Sequence, residues 1–224
     1  MSDPSSAGGP EASTSLLAVD TGGTFTDLVL LRQGRVETLK VPSTPADPAQ
    51  AVLDGLRRLL DPDDDFLLLH GSTVATNALL ERRGARVVLV TNEGFQDVIE
   101  IGRQNRPQLY ALVGHRPPPL VARDDRLGIA GRLGPQGEEI EALDPSELEA
   151  LPGFVEEHGA EAVAVCLLHA YAGSGHEEAV ARALEGTGLP LSVSSRLLPE
   201  FREYERTSTT VVNAYVAQIG RAHV

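Results

Sequence analysis

An α/β fold is what this sequence predicts, on three observations: two apolar runs near the N-terminus joined by a short glycine-rich segment, an amphipathic helical repeat after them, and then short apolar runs alternating with helical ones. Residues 16–19 and 25–31 read as the strands of an antiparallel hairpin, and residues 35–41 as a third strand after a turn at Gln33 and Gly34. Pro42 and Pro45 end that strand. Asp47-Pro-Ala-Gln50 has the N-cap, first-turn proline and N3 glutamine of a helix start, and Val52, Leu53, Leu56, Leu59 and Leu60 follow at helical spacing. Residues 66–69 are all apolar, which predicts a strand covered on both faces. His70-Gly-Ser-Thr73 turns this strand into a helix over 74–83 with Gly84 as its C-terminal cap, and 87–90 reads as another buried strand. Three strands in a meander, then helix, strand, helix, strand, is the order of a ribonuclease-H-like unit, placed at 15–103.

Residues 104–143 are rich in Pro, Arg and Gly with little periodicity, the pattern of an extended loop or insertion. A second α/β segment follows at 144–217. Its first helix starts at Asp144-Pro-Ser-Glu147 and should kink or split at Pro152. A strand at 163–168, a helix at 177–184, a strand at 191–194 and a helix at 200–216 complete it. Residues 1–14, polar and rich in Ser, Gly and Pro, read as a disordered tail without the basic and apolar regions of a signal peptide.

A chain of 224 residues can bury a core without disulfides, and the lone Cys166 offers no internal partner, which is compatible with a reducing, cytoplasmic location. A net charge of −13 argues against nucleic acid or an anionic membrane surface as partner, because both require clustered Lys and Arg. The apolar runs fall far short of the roughly 20 residues of a membrane helix. A soluble protein is expected.

Asp20-Thr-Gly-Gly-Thr-Phe-Thr-Asp27 concentrates acids, glycines and hydroxyls directly after a buried strand. Gly22 and Gly23 let backbone N–H groups approach an anion, Thr24 and Thr26 add hydroxyl donors, and a carboxylate beside phosphates suits Mg²⁺, which takes few protein ligands. This is a strand-turn-strand phosphate loop of the actin-like ATPase kind, with Asp20 the first candidate for metal and catalysis and Asp27 beside it. A tight hairpin with good strand formers is the plainer alternative. The sequence has no Walker motif, and Gly22-Gly23 opens no helix, so neither a P-loop nor a dinucleotide fingerprint fits.

His70, Gly71, Ser72, Thr73 and Asn77 form a second constellation at a strand end feeding a helix, suited to substrate or phosphate, although Ser72 or Thr73 as a simple cap is equally a reading. Arg103 and Arg106 offer guanidinium groups able to clamp a carboxylate or phosphate, or to make a solvated basic loop. The mixed charges of 200–206 suit an exposed helix face, and the Thr207-Ser-Thr-Thr210 run is unusual for a helix. Cys166, among Ala, Val and Leu, reads as a buried inert thiol, and His169 and His176 lack a zinc spacing.

Together, Asp20 to Asp27, His70-Gly-Ser-Thr-Val-Ala-Thr-Asn-Ala-Leu-Leu-Glu-Arg82, Ile101-Gly-Arg-Gln-Asn-Arg-Pro107, Ala162-Val-Ala-Val-Cys-Leu-Leu-His169 and Glu203-Tyr-Glu-Arg-Thr-Ser-Thr-Thr210 resemble, in this order, the N-terminal region of the hydantoinase A and 5-oxoprolinase family, which includes N-methylhydantoinase and acetone carboxylase subunits. The resemblance implies an actin-like ATPase fold, ATP and Mg²⁺ or a related divalent ion, and ATP-dependent opening of a cyclic amide activated by phosphorylation. It also implies a hydantoinase B-like subunit, separate or fused downstream. Ser72 stands where the family pattern has Thr, and the chain stops before the family's second Gly-Gly-Thr motif. Residues 218–224 look foreign to the family, and one reading frame of a common sequencing adapter encodes the last of them. The expectation is therefore the N-terminal part of a larger enzyme, inactive alone. Alternatives are a ketone carboxylase subunit, a sugar-kinase-like phosphotransferase and a nucleotide-switched binding module.

Overall fold

The structure is a computed structural model, and it describes residues 15–44, 47–105, 110 and 117–221. The tail expected at 1–14 and the residues Arg106 and Pro107 lie outside the described residues. The chain forms two compact units that divide between Asn77 and Ala78.

In the first unit, β1 (Ser15–Thr21), β2 (Phe25–Arg32) and β3 (Arg35–Pro42) make the meander, α1 (Pro48–Leu59) follows, and β4 (Phe66–Ser72) returns to lie parallel to β1. The sheet order is β3-β2-β1-β4. Asp47 caps α1 as its type predicts, its carboxylate accepting from the Ala49 N–H at 3.2 Å. Alternation along the strands sends Leu17, Val19, Leu28, Leu30 and Val41 to one face, where Ala51 of α1 packs on them. Gly55 allows that approach, since a Cβ there would stand 2.6 Å from the Leu28 methyls. The other face is open: Val29, Leu31 and Val36 are exposed, and β4 is exposed along its whole length. The apolar run at 66–69 was expected to be covered on both faces. An all-apolar run signals burial only where a second layer exists, and the described residues place none on it.

α2 (Val74–Leu80) spans the division, and the second unit continues with β5 (Val87–Asn92), α3 (Val98–Ile101), a 3₁₀ turn (Arg123–Asp125), β6 (Arg126–Ile129) and the small β7 (Arg132–Leu133) and β8 (Glu139–Glu141) pair. Next come α4 (Pro145–Glu157), β9 (Ala162–Val165), α5 (Gly175–Leu184), β10 (Leu191–Val193), α6 (Ser194–Leu197) and α7 (Glu203–Arg221). Its sheet is parallel in the order β10-β9-β5-β6. Val87 and Leu89 face α7 through Val211, Ala214 and Tyr215, while Val88 and Val90 face Leu151 of α4 and Val180 of α5. Helices on both faces explain why β5 is buried at every residue.

Several expectations change here. The ribonuclease-H-like unit placed at 15–103 ends earlier, because β5 pairs with β6 and β9 and not with the first sheet. The stretch 104–143 supplies β6, a full strand whose four residues were too few to show periodicity. Helix α4 runs unbroken through Pro152. The left-handed residue after α2 is Arg82, at φ 58°, and Gly84 serves packing instead: a Cβ there would stand 2.2 Å from the Tyr215 ring. Arg206 is fully buried and not on an exposed face; it pairs with Glu203 and donates to the Leu167 carbonyl at 2.7 Å. Thr207 and Thr210 settle into α7 by donating to the carbonyls four residues back, each at 2.7 Å. Helix α7 continues through 218–221.

Several buried polar groups in this unit have specific partners, although the Ser195 hydroxyl and Nε and Nη1 of Arg206 have none among the described residues. The Glu177 carboxylate, fully buried, accepts from the Leu167 N–H, the Ser194 hydroxyl and the Ser195 N–H. Asp125 accepts from Arg86 and His158, each at 3.0 Å. Burial works to raise the Asp125 carboxyl, but those hydrogen bonds and charges outweigh it and hold its pKa below the ordinary 3.8. Burial pushes the Cys166 thiol up to about 11, against the weaker opposite pull of Arg206 and Thr207.

Two outcomes are expected. Because folded Asp125 keeps its charge to lower pH than the unfolded carboxyl, its stabilisation is present above the ordinary carboxylate range and is lost as pH falls through the lowered value. Urea midpoints measured from neutral pH downward should show an acid-side decline that is shallower in Asp125→Asn. Cys166 should stay unreactive to a thiol-specific disulfide reagent near pH 8 and titrate fully only when the chain is unfolded.

Candidate functional site

The phosphate-loop residues take their places from the register of the first sheet. Asp20 of β1 lies directly opposite Asp27 of β2 and beside Gly71 of β4, and Asp27 in turn lies opposite Lys40 of β3. Residues in register share a face, so Lys40, Asp27, Asp20 and Gly71 form one row across the open face of the sheet. Two carboxylates directly opposite repel each other unless a cation joins them. Lys40 answers Asp27, its Nζ 2.9 Å from Oδ1. Asp20 is exposed, and no hydrogen bond or ion pair reaches it among the described residues. Gly71 keeps the space beside it clear, since even a Cβ there would stand 3.9 Å from Asp20 Oδ1. A shallow pocket of about 350 Å³ lies over Asp27, Asp20 and Gly71 of this row, with the two carboxylates at its acidic side and Ala18, Val29 and Leu69 at its apolar side.

The Gly22-Gly23 turn closes by a bond from the Gly22 N–H to the Phe25 carbonyl at 3.0 Å, and a Cβ on Gly22 would meet that same oxygen at 2.9 Å. Ser43, which the sequence reading did not single out, pins the turn from outside: its N–H donates to the Thr24 carbonyl at 2.9 Å and its hydroxyl to the Gly22 carbonyl at 2.7 Å. Thr26 was expected as a hydroxyl donor to phosphate. It is fully buried on the α1 face, where its Oγ1 lies 3.0 Å from Ser43 Oγ, so it holds the turn. Gly23 and Thr24 remain exposed at the tip.

The second constellation divides. His70 is in register with Val19, on the face opposite Asp20, and its Nε2 shares a hydrogen bond of 3.0 Å with the buried Thr21 hydroxyl. The Ser72 hydroxyl accepts from the Val74 N–H at 3.2 Å, which is the capping role. The Thr73 N–H donates to the Thr21 carbonyl at 3.2 Å, tying the start of α2 to the end of β1. Asn77 does reach the loop: its Nδ2 lies 3.4 Å from where a Gly23 Cβ would stand. Arg103 lies in the second unit, paired through Nε with Glu205 at 2.8 Å.

No set of three or more His, Cys, Asp or Glu side chains gathers as a metal cage among the described residues. The row nevertheless suits a hard divalent cation held mostly by water and phosphate oxygens, for which one or two carboxylates suffice. Asp20 supplies an uncommitted carboxylate, and the bare backbone at Gly71 leaves room for phosphate oxygens next to it. No helix among the described residues is long and apolar enough to cross a membrane.

The sequence profile of the hydantoinase/oxoprolinase N-terminal region matches residues 16–188. Caprolactamase subunit alpha of Pseudomonas jessenii is 35% identical over 218 residues, covering 91% of this chain and 31% of that protein. 5-Oxoprolinase 1 of Arabidopsis thaliana is 33% identical over 236 residues, covering 90% of this chain and 19% of that protein. The nucleotide-free structure of acetone carboxylase, solved for the mechanism of ATP-dependent acetone carboxylation, superposes with a TM-score of 0.82 at 25% identity, covering 92% of this chain and 32% of the other. The chain thus spans about a third or less of the length of these relatives.

Removing the Ser43 hydroxyl should loosen the glycine turn without touching the carboxylates. Ser43→Ala is expected to cost about 1 kcal/mol in urea unfolding, and to speed amide exchange at Gly22 to Phe25 relative to the strands, read by hydrogen-exchange mass spectrometry.

Proposed function

We propose, from the premise that this chain belongs to the hydantoinase/oxoprolinase family, that it is the N-terminal part of an ATP-dependent enzyme that opens cyclic amides. One observation carries the reading: the Asp20 carboxylate, without a partner, stands beside a Ser43-pinned glycine turn, directly opposite a second carboxylate that already has its lysine. Such a surplus of negative charge on an open sheet face is costly unless a cation completes it. The mixed α/β fold and the strand-turn-strand loop agree with an actin-like ATPase wall. In that reading Gly22, Gly23 and Thr24 face the phosphates, Asn77 steadies the tip, and Asp20 with Asp27 holds Mg²⁺ through oxygen and water. The ion, when bound, offsets charge on the transferring phosphoryl group.

The chemistry asked of the whole protein is activation of an inert amide. A lactam carbonyl oxygen takes the terminal phosphoryl group of ATP and ADP leaves; water then adds to the activated carbon, the ring C–N bond breaks and phosphate departs. What these residues contribute is position: the register fixes the carboxylates on the face where the phosphates would lie, and Gly23 and Thr24 leave the tip of the turn open to them. The opposing wall and a hydantoinase B-like partner, separate or fused, belong to the proposal, as does a cytoplasmic location. The likeness to acetone carboxylase favours a second reading, in which the same activation serves a ketone awaiting carboxylation.

The test uses a family-length protein that contains this region. ATP hydrolysis stimulated by caprolactam or 5-oxoproline should fall about 100-fold or more in kcat in Asp20→Ala, while Lys40→Gln should change it far less. An Asp20→Ala protein as active as the parent sinks the assignment.

A further inference from the structure

The second unit holds a pocket of about 460 Å³ that the nucleotide reading leaves unused. Four separated parts of the chain build it, residues 117–120 among them. Tyr204, Ser208 and Val211 lie at helical spacing on one stripe of α7, Ile99 and Arg103 come from α3 and the turn after it, and Arg82 comes from the end of α2. Gly102 has φ 56°, a conformation that disfavours other residues, and a Cβ there would stand 3.6 Å from the Tyr204 ring. The turn is thereby pressed onto Tyr204, and the Arg103 guanidinium stands 5.7 Å from the ring centre while its Nε is held by Glu205.

The charges in this pocket do not cancel. Glu205 answers Arg103, and the Glu100 carboxylate is answered by the buried Arg126 at 2.9 Å. Arg82 is different. Its terminal nitrogens donate to the carbonyls of Pro118 at 2.8 Å and Pro119 at 3.4 Å, and among the described residues no carboxylate pairs with it. The Ser208 hydroxyl, half-buried at the same pocket, also has no hydrogen-bond partner among the described residues. A chain of net charge −13 thus keeps an uncompensated guanidinium and an idle hydroxyl over an apolar floor of Ile99 and Leu120. The volume lies within the roughly 300–1,000 Å³ typical of small-molecule sites.

We propose that this pocket binds a small aliphatic carboxylate, its oxygens on the Arg82 and Arg103 guanidinium groups and the Ser208 hydroxyl, and its hydrocarbon body on Ile99 and Leu120. Two forked cations match the planar carboxylate in shape as well as charge, and the floor rewards a chain of methylenes. The inference stands independently of nucleotide binding by the first unit.

Hexanoate, its neutral isostere hexanamide and inorganic phosphate separate the possibilities when titrated into the 224-residue chain by calorimetry and ligand-observed NMR. Hexanoate should bind at least about tenfold more tightly than hexanamide, and more tightly than phosphate. Arg82→Gln should weaken it by about tenfold or more, and Ser208→Ala, which leaves both guanidinium groups in place, by roughly three- to tenfold. Arg35→Gln on β3 serves as the control and should change nothing, with urea midpoints confirming that each variant is folded. Equal affinity for hexanamide, phosphate binding as tight as hexanoate, wild-type affinity in Ser208→Ala, or no saturable binding up to about 10 mM would each overturn the proposal.

Discussion

The register of β1 between its neighbours is the constraint on which the first unit and its site depend. A strand has two faces, and the pairing of Asp20 with Asp27 on one side and Gly71 on the other decides which face each residue serves. One residue of slip in β1 would turn Asp20 toward α1 and bring Leu17 and Val19 to the open face. The packing of Leu17, Val19, Leu28 and Leu30 on α1 therefore does more than stabilise the unit. It holds two like charges side by side at the surface, an arrangement that the sheet on its own would disfavour.

The second unit solves a different problem. Parallel strands buried on both faces end in backbone donors that no neighbouring strand satisfies, and a buried donor without a partner costs about 1–3 kcal/mol. Glu177 collects two such donors, the Leu167 and Ser195 N–H groups, together with the Ser194 hydroxyl, and Asn92 accepts from the Leu168 N–H at 2.6 Å at the end of β5. Arg206 draws in the Leu167 carbonyl from the same region. The price of dense helical cover is thus a set of buried charged side chains, of which Glu177 is fully partnered while Arg206 keeps two nitrogens without a partner among the described residues.

Much of this was legible in the sequence, because it was local. The hairpin, the Asp47 cap, the amphipathic α1 and the buried β5 all follow from pattern and residue type. What escaped was set by long-range pairing. Which sheet β5 joins depends on β6 and β9, distant in sequence, and β6 itself was too short to announce its period. Within the site, Asp20 and Gly71 share one face of the sheet, whereas Thr26 and His70 point to the opposite one, a consequence of alternation that only a fixed register reveals. Ser43 left no motif of its own; its signal was the end of a strand that must come back past the turn. Arg206 looked like one charge among several on a helix, and its burial follows from the packing of α7 on β9.

The open face of the first sheet has a practical side. Strand β4 lies at the edge of the order β3-β2-β1-β4, and Phe66, Leu67, Leu68 and Leu69 all meet water along it. An edge with free backbone donors and acceptors, high apolar content and no charge from Phe66 to Ser72 is a template for adding another strand of its own kind. Self-association through this edge is the hazard such a strand carries, and a lysine introduced at Leu68 would be the simplest gatekeeper against it.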